Sequence, residues 1–173
     1  SEFGSIGALL SARQVAFCER KGLGPAKFAQ LQAALELISR YIKEELRANP
    51  IFTSPQMVRD YLAVQMRGYQ REVFVILLVD SRHQLLDFHE LFQGTIDMAS
   101  VYPREIVKLA LQNNAAAVIV AHNHPSGVAE PSQSDIAITR RIKQALALVD
   151  IRLLDHFIIG HGAVTSLADS GQV

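Results

Sequence analysis

Three polar residues in the second half of the chain have the types and the spacing of a metal site. His122 and His124 are one residue apart and follow residues 115–121, a short apolar run whose β-branched residues favour a buried strand. Residues i and i+2 of an extended chain project from the same face, so the two imidazoles are predicted to lie side by side. A loop containing Pro125 and Gly127 then turns the chain.

Asp135 is the third candidate ligand. Ser132 and Asp135 are predicted to begin a helix that folds back toward the histidines and brings the carboxylate to them. Two histidines and one carboxylate, with a fourth position left to water, are typical of a catalytic zinc site rather than a closed structural one. The same spacing of Ser132 and Asp135 is also that of a helix capping box. The two roles are compatible, because the serine can cap the helix while the aspartate binds metal.

The order of these residues resembles that of the JAMM (MPN+) zinc metalloproteases, in which a His-x-His pair precedes a serine and then an aspartate. The longer string HNHPSG…EPS..D, with the dipeptide Asp155-His156 further on, is similar to the bacterial RadC-like branch. This resemblance extends from about Ser54 to the C-terminus. It departs from the wider pattern at Asn123, where Ser or Thr is usual. The resemblance implies one zinc ion per protomer, a peptide or protein substrate, and hydrolysis of amide bonds.

A hydrolytic metal site also needs a carboxylate that carries a proton. Three glutamates have explanations that need no catalytic role. Glu130 is expected to be solvated in the loop, and Glu90 to face water from a strand. Glu105 lies in the first turn of a helix, where the helix dipole favours an acid. Glu72 begins a buried apolar strand, where an acid is costly unless it has a task. It is also the position that matches the catalytic glutamate of the JAMM pattern, so we predict that Glu72 is the general base. The resemblance further implies that Ser132 donates a hydrogen bond to the oxyanion.

Two further residues near the predicted site have two interpretations each. Asn123 orients a ligand histidine or the loop, or it is a turn residue. His156 contacts a ligand or the substrate, or it is hydrogen bonded for stability alone. Asp155 and His156 are adjacent in a predicted strand, so they point to opposite faces and do not form a catalytic dyad.

The N-terminal part of the chain, residues 6–47, is predicted to be helical. Its string GLGPAK resembles a helix-hairpin-helix element, in which hairpin amides near Gly22 and Gly24 and the amine of Lys27 hold a DNA phosphate. A plain helix–helix turn is the alternative interpretation. The 17 basic and 17 acidic residues cancel, so little counterion release on DNA is available. We therefore expect weak DNA contact at best.

The chain divides into three predicted segments. Residues 1–47 combine a remnant of a cloning site at 1–5 with the truncated helix-hairpin-helix segment, residues 48–53 form a linker, and residues 54–173 form the domain that resembles the JAMM family. The predicted elements of that domain are helix 54–67, strands 72–80 and 84–93, helix 103–112, strand 115–121, helix 132–148, and strands 151–159 and 163–167. This irregular mixture predicts an α+β (mixed α/β) fold, a sheet covered by helices. The resemblance implies the same JAMM/MPN-like architecture, with a cytidine-deaminase-like sheet.

Composition narrows the remaining choices. The chain is 49% hydrophobic and 20% charged, as expected for a globular protein with a sizeable core. A single cysteine, Cys18, favours a reducing compartment, and the sequence has no run of membrane-spanning length and no visible signal peptide, so we expect a cytoplasmic protein. Two functional classes remain open: a zinc-dependent hydrolase of amide bonds, and a DNA-repair-associated DNA-binding module or nuclease. A scaffold that binds zinc and catalyses nothing is a third outcome. The His-Asn-His triplet does not favour an HNH nuclease, whose motif residues are spread over a ββα unit.

Overall fold

A five-stranded mixed sheet forms the centre of the protein. The computed structural model of the chain describes residues 3–50, 55–93 and 101–173. The elements in these ranges are α1 (Ile6–Leu10), α2 (Gln14–Cys18), α3 (Pro25–Ala48), α4 (Pro55–Gln65), β1 (Val73–Val79), β2 (Leu85–Gln93), α5 (Pro103–Gln112), β3 (Ala117–Asn123), α6 (Gln133–Ala147), β4 (Arg152–Ile159) and β5 (Val164–Ser166). The strand order is β2-β1-β3-β4-β5. Only β3 and β4 are parallel to each other, so the mixed α/β prediction is confirmed.

Helices cover both faces of the sheet. Every residue of β1 and of β3 is buried, which is the pattern of strands covered on both sides. Apolar residues of α3 and α4 pack on the face that contains Val75 and Leu77. Apolar residues of α5 and α6 pack on the face that contains Phe74 and Ile76. None of the helices in the described ranges is long and apolar enough to cross a membrane.

The connection from β3 to β4 brings the predicted ligands together. Parallel strands need a crossover, and α6 provides it. Residues 124–132 connect β3 to α6, and Ser132 caps the N-terminus of α6 in a complete capping box with Asp135. The first turn of α6 therefore lies beside the end of the strand that carries the histidines.

Some predicted boundaries were wrong by two residues. β3 continues to Asn123, because His122 and Asn123 still pair with Ile158 and Ile159 of β4. α4 ends at Gln65 rather than at residue 67, and Gly68 follows with a φ of 82° that does not continue a helix. The predicted cap Ser54 lies outside the described residues.

The N-terminal helices pack against the rest of the chain. Leu46 of α3 is buried in the same cluster as α4, and Gln65 Nε2 donates to Ser39 Oγ at 2.5 Å. α3 extends to Ala48, one residue into the predicted linker. Ser5, which was assigned to the cloning remnant, caps α1 by accepting from the Ala8 amide at 3.0 Å. The predicted division at residues 48–53 stays a prediction.

Candidate metal centre

Three ligand atoms converge where β3 ends and α6 begins. His122 Nε2 lies 3.0 Å from His124 Nε2 and 3.2 Å from Asp135 Oδ1, and His124 Nε2 lies 3.6 Å from Asp135 Oδ2. His122 and Asp135 are buried, while His124 is half-buried. The end of β3 positions His122, the residue after the strand positions His124, and the capped helix turn positions the carboxylate near both imidazoles.

The other polar atoms of these residues have partners of their own. His124 Nδ1 lies 2.8 Å from the carbonyl oxygen of Val128. A carbonyl only accepts, so His124 carries its proton on Nδ1 and presents a bare lone pair on Nε2. His122 Nδ1 lies 2.8 Å from His156 Nε2, which leaves His122 Nε2 for the centre. His122 Nε2, His124 Nε2 and the Asp135 carboxylate can therefore each offer a lone pair to one cation.

The spacing of these atoms fits a divalent metal ion. A tetrahedral ion with metal–nitrogen distances of about 2.0–2.1 Å holds its ligand atoms roughly 3.3 Å apart. The observed separations of 3.0, 3.2 and 3.6 Å bracket that value. Among the described residues, His122, His124 and Asp135 are the one group of three or more candidate ligands close enough to share an ion.

Asp135 is held in its ionised form. Burial by itself would raise the pKa of the carboxyl group, but the protonated form of His122 that prevails in acid and two hydrogen bonds from Ser132 hold that pKa well below its usual range. The Ser132 amide and hydroxyl both donate to Asp135 Oδ2 at 2.7 Å. The carboxylate is therefore anionic at neutral pH and suits the role of a metal ligand.

Ser132 acts as a cap in this structure. Its hydroxyl oxygen also accepts from the Asp135 amide at 3.2 Å. Because the hydroxyl proton is directed at Asp135, the predicted hydrogen bond to an oxyanion requires the hydroxyl to turn away from its present partner.

Glu72 precedes β1 and is half-buried rather than fully buried. The cost of burying an acid is therefore a weaker argument for this residue than the sequence indicated. Its placement rests on register: Phe74 pairs with His122 across β1 and β3, and the chain reaches Glu72 two residues earlier. Continued alternation puts Glu72 on the face of Phe74, whose ring stacks on that of His122 at a centroid distance of 6.2 Å.

Asn123 fixes the backbone on both sides of Glu72. Its Oδ1 accepts from the amide of Val73 at 2.8 Å, and its Nδ2 donates to the carbonyl of Arg71 at 3.0 Å. Asn123 is buried in β3, so it is not the turn residue of the alternative interpretation. The two partners of the Asn123 side chain, Arg71 and Val73, lie on either side of Glu72 in sequence. The side chain therefore holds the segment of the predicted base rather than a ligand histidine or the loop. Sequence reasoning had no signal for this clamp, because its two ends are about 50 residues apart.

His156 contacts the candidate ligand His122, and Thr139 lies behind His156. Both side chains are fully buried, and Thr139 Oγ1 lies 2.6 Å from His156 Nδ1. Burial, followed by the neighbouring charge of His122, holds the pKa of His156 well below its ordinary value, so that imidazole is neutral. Asp155 faces the other way and accepts from Ser166 Oγ at 2.6 Å. Sequence reasoning missed Thr139, although its position one helical turn after Asp135 was a usable signal.

The loop between β3 and α6 is fixed against the turn between β4 and β5. His124 N donates to the carbonyl of Ile159 at 2.9 Å, and His161 N donates to the carbonyl of Gly127 at 2.8 Å. A Cβ atom at Gly160 would lie 2.4 Å from that same Gly127 oxygen, so only glycine permits the approach. The histidine end of the site is therefore held by backbone contacts to the end of β4 and the turn that follows it.

A cleft of about 840 Å³ opens beside His124. Its walls come from α1, from α4 and the turn that follows it, and from the turn between β4 and β5. Its polar lining includes Arg59, Arg67 and His161 as well as Asn123. This volume is within the range of cavities that hold ligands of several hundred daltons.

The residues predicted to contact DNA lie in the turn between α2 and α3. Gly22 has a φ of 80°, Gly24 caps α3, and Lys27 Nζ donates to the carbonyl of Gly22 at 2.7 Å. The lysine thus stabilises its own turn in this structure. DNA contact by this segment stays a prediction.

Comparison with known proteins gives one family for the chain. The family model of the RadC-like JAB domain matches residues 52–172. A UPF0758 protein of Aeromonas hydrophila is 59% identical over 170 residues, which cover 98% of this chain and 76% of that protein. Similar proteins occur in Azotobacter vinelandii, 57% identical over 99% of this chain and 76% of that protein, and in Marinomonas sp., 56% identical over 100% and 77%. Their names specify no activity. The matched domain contains the whole candidate metal centre, and the chain belongs to the family of the RadC-like JAB domain.

Proposed function

We propose that this protein is a zinc-dependent hydrolase of amide bonds, with a peptide or isopeptide as its substrate. The convergence of the His122, His124 and Asp135 ligand atoms within 4.8 Å of one another carries the proposal. Three protein ligands leave a fourth position open, which is the arrangement of a catalytic zinc site. The family assignment supports the same reaction class.

The chemistry divides between the ion and the protein. A zinc ion held there would supply a Lewis acid that polarises a carbonyl and acidifies water. Glu72 accepts the proton of the attacking water on a carboxylate oxygen and transfers it to the nitrogen of the leaving amine. The oxygen of water first bonds to the carbonyl carbon, and the C–N bond then breaks as the protonated amine leaves. Asn123 keeps the Glu72 segment in place through Arg71 and Val73.

The cleft supports a substrate larger than a single amino acid. Its volume of about 840 Å³ and its mixed polar and apolar lining suit a few residues of an extended peptide. His124 is the ligand residue that lines the cleft and is also the most exposed of the three ligands. We infer that the scissile bond approaches the centre along this cleft.

Metal analysis of the purified protein tests the proposal first. We expect one zinc ion per chain after removal of loosely bound ions, and none in the double variant His122→Ala, His124→Ala. A matched control is His161→Ala, which removes a nearby exposed histidine that is not among the three candidate ligands. Equal zinc content in the double variant and the wild type would refute the site.

A parallel assay separates hydrolysis of amides from hydrolysis of DNA. The protein should cleave members of a peptide and isopeptide library when zinc is present and should lose that activity with chelator or in His124→Ala. Phosphodiester hydrolysis more often recruits paired metals, and no second ligand group occurs among the described residues. Zinc-dependent DNA strand cleavage that His124→Ala abolishes, together with steeply salt-dependent DNA binding, would replace the amide hydrolase with a nuclease.

A further inference from the structure

Thr139 and His156 form a buried polar chain that the proposed reaction does not use directly. Both side chains are fully buried, at 0% exposure. Thr139 Oγ1 lies 2.5 Å from the carbonyl oxygen of Asp135 and 2.6 Å from His156 Nδ1. His156 Nε2 lies 2.8 Å from His122 Nδ1. This series of hydrogen bonds therefore joins the backbone of one candidate ligand, Asp135, to the imidazole of another, His122.

Only one direction of the hydrogen bonds satisfies this chain. The Asp135 carbonyl can only accept, so Thr139 donates its single hydroxyl proton to it. Thr139 Oγ1 must then accept from His156, which places the proton of His156 on Nδ1. His156 Nε2 is left as an acceptor, and it must receive a proton from His122 Nδ1.

The reversed direction would block the metal centre. If Thr139 donated to His156 Nδ1, then His156 Nε2 would carry the proton and donate to His122 Nδ1. The proton of neutral His122 would then sit on Nε2, 3.0 Å from His124 Nε2 and 3.2 Å from Asp135 Oδ1. A protonated Nε2 cannot bind a metal ion. The direction of the hydrogen bonds between Thr139, His156 and His122 therefore decides whether His122 can be a ligand.

Packing alone does not determine this proton. The Phe74 ring lies parallel to that of His122, with an interplanar angle of 6°, and so fixes the plane of the imidazole. An apolar ring has no preference between the two tautomers of the histidine beside it. The orientation of the ring and the position of its proton therefore have different causes.

We propose that Thr139, acting through His156, is a positioning residue that fixes the Nδ1–H tautomer of His122 and keeps its Nε2 free for the metal ion. This inference rests on the proposed function, because it assumes that the centre binds a metal. It assigns a role to a threonine that touches neither the ion nor the substrate. Partners behind a metal-bound histidine typically contribute about 10- to 100-fold in metal affinity.

The test compares Thr139→Val, which keeps the shape and loses the hydroxyl, with Thr139→Ser, which keeps the hydroxyl and loses the methyl group. Zinc dissociation constants are measured by competition with a chelating dye. We expect Thr139→Val to weaken zinc binding about 10- to 100-fold and Thr139→Ser to remain within about threefold of the wild type. Equal weakening by both substitutions, or no weakening by Thr139→Val, would overturn the proposal.

A second measurement needs neither zinc nor activity. Nitrogen-15 spectra of the metal-free wild type, at a pH well above the ordinary imidazole pKa of about 6.5, report the tautomer of each histidine. We expect Nδ1–H for His122 and for His156. An Nε2–H tautomer at His122 would refute the proposed direction of these hydrogen bonds even if zinc binds normally. This measurement uses the wild type, so it remains informative if Thr139→Val fails to fold. A wild type with the expected tautomers that binds no zinc would refute the proposed function instead.

Discussion

Asn123→Ala should separate stability, metal binding and catalysis. The substitution removes two hydrogen bonds, one from the buried amide of Val73 and one to the carbonyl of Arg71. Val73 is only 4% exposed, so water cannot replace the lost partner of its amide. The unsatisfied donor should lower the free energy of unfolding by about 1–3 kcal/mol. Arg71 is exposed, so water can replace its partner at a cost of about 1 kcal/mol. We expect a total loss of about 2–4 kcal/mol in the free energy of unfolding.

The same substitution should change hydrolysis more than zinc affinity. The backbone of His122 stays in the ladder between β1 and β4, so the zinc dissociation constant should stay within about threefold of the wild type. The segment on both sides of Glu72 is released, and a displacement of about 1 Å at a catalytic group can lower the rate about 100-fold. We therefore expect kcat/KM to fall at least tenfold while zinc remains bound.

Urea unfolding, zinc competition and peptide hydrolysis measure the three effects. Asn113→Ala is the matched control, because it removes a single side-chain hydrogen bond, to the Leu109 carbonyl at 2.9 Å, in a helix cap outside the candidate site. The control should cost about 1 kcal/mol and leave zinc binding and rate unchanged. An Asn123→Ala variant that loses zinc together with activity would show that the residue acts on the histidines, and the clamp on Glu72 would be wrong.

Three other predictions follow from the geometry of single side chains. Glu72→Gln should keep zinc and the fold but lower hydrolysis by a factor on the order of 100 or more, and loss of zinc in that variant would make Glu72 a ligand. Ser132→Ala should lower the free energy of unfolding by about 1 kcal/mol in urea titrations because the cap to Asp135 is lost, whereas Ser132→Thr should not. Burial raises the pKa of Tyr61 to about 12, so the phenol resists ionisation in the folded state. Below the unfolded pKa of about 10, Tyr61 is protonated in both states. As the pH rises to about 12, Tyr61 ionises in the unfolded state first, and this should lower the free energy of unfolding by roughly 3 kcal/mol. Tyr61→Phe should reduce this alkaline loss without abolishing it, because burial also raises the pKa of Tyr69, and an unchanged profile would contradict the assignment.

The parts of the fold that the sequence predicted are those determined by local pattern. Helix α5 occupies Pro103–Gln112 as predicted, because proline begins it and its apolar positions recur at helical spacing. The three candidate ligands were also predictable, since they lie on one strand and on the next helix. Their convergence depends on a short loop and one crossover rather than on distant pairing.

The parts that could not be predicted depend on contacts between distant segments. The extension of β3 to Asn123 comes from the pairing of His122 with β1 and β4 and of Asn123 with β4, which no local pattern encodes. The Asn123 clamp and the chain through Thr139 and His156 join elements that are far apart in sequence. The burial of Glu72 was also overestimated, because Glu72 lies just before the first ladder residue of β1, where its side chain is only half-buried.

The central place of β3 in the sheet has a consequence for how fast a bound metal ion could leave. Backbone amides of β3 are hydrogen bonded to β1 on one side and to β4 on the other, so their exchange with solvent deuterium requires the sheet to separate. His122 therefore cannot release an ion through local opening of its own strand. Asp135 occupies the first turn of α6, where fraying costs far less than separation of a sheet. We expect the slow step of metal exchange to be the loosening of that turn, on a timescale much shorter than global unfolding.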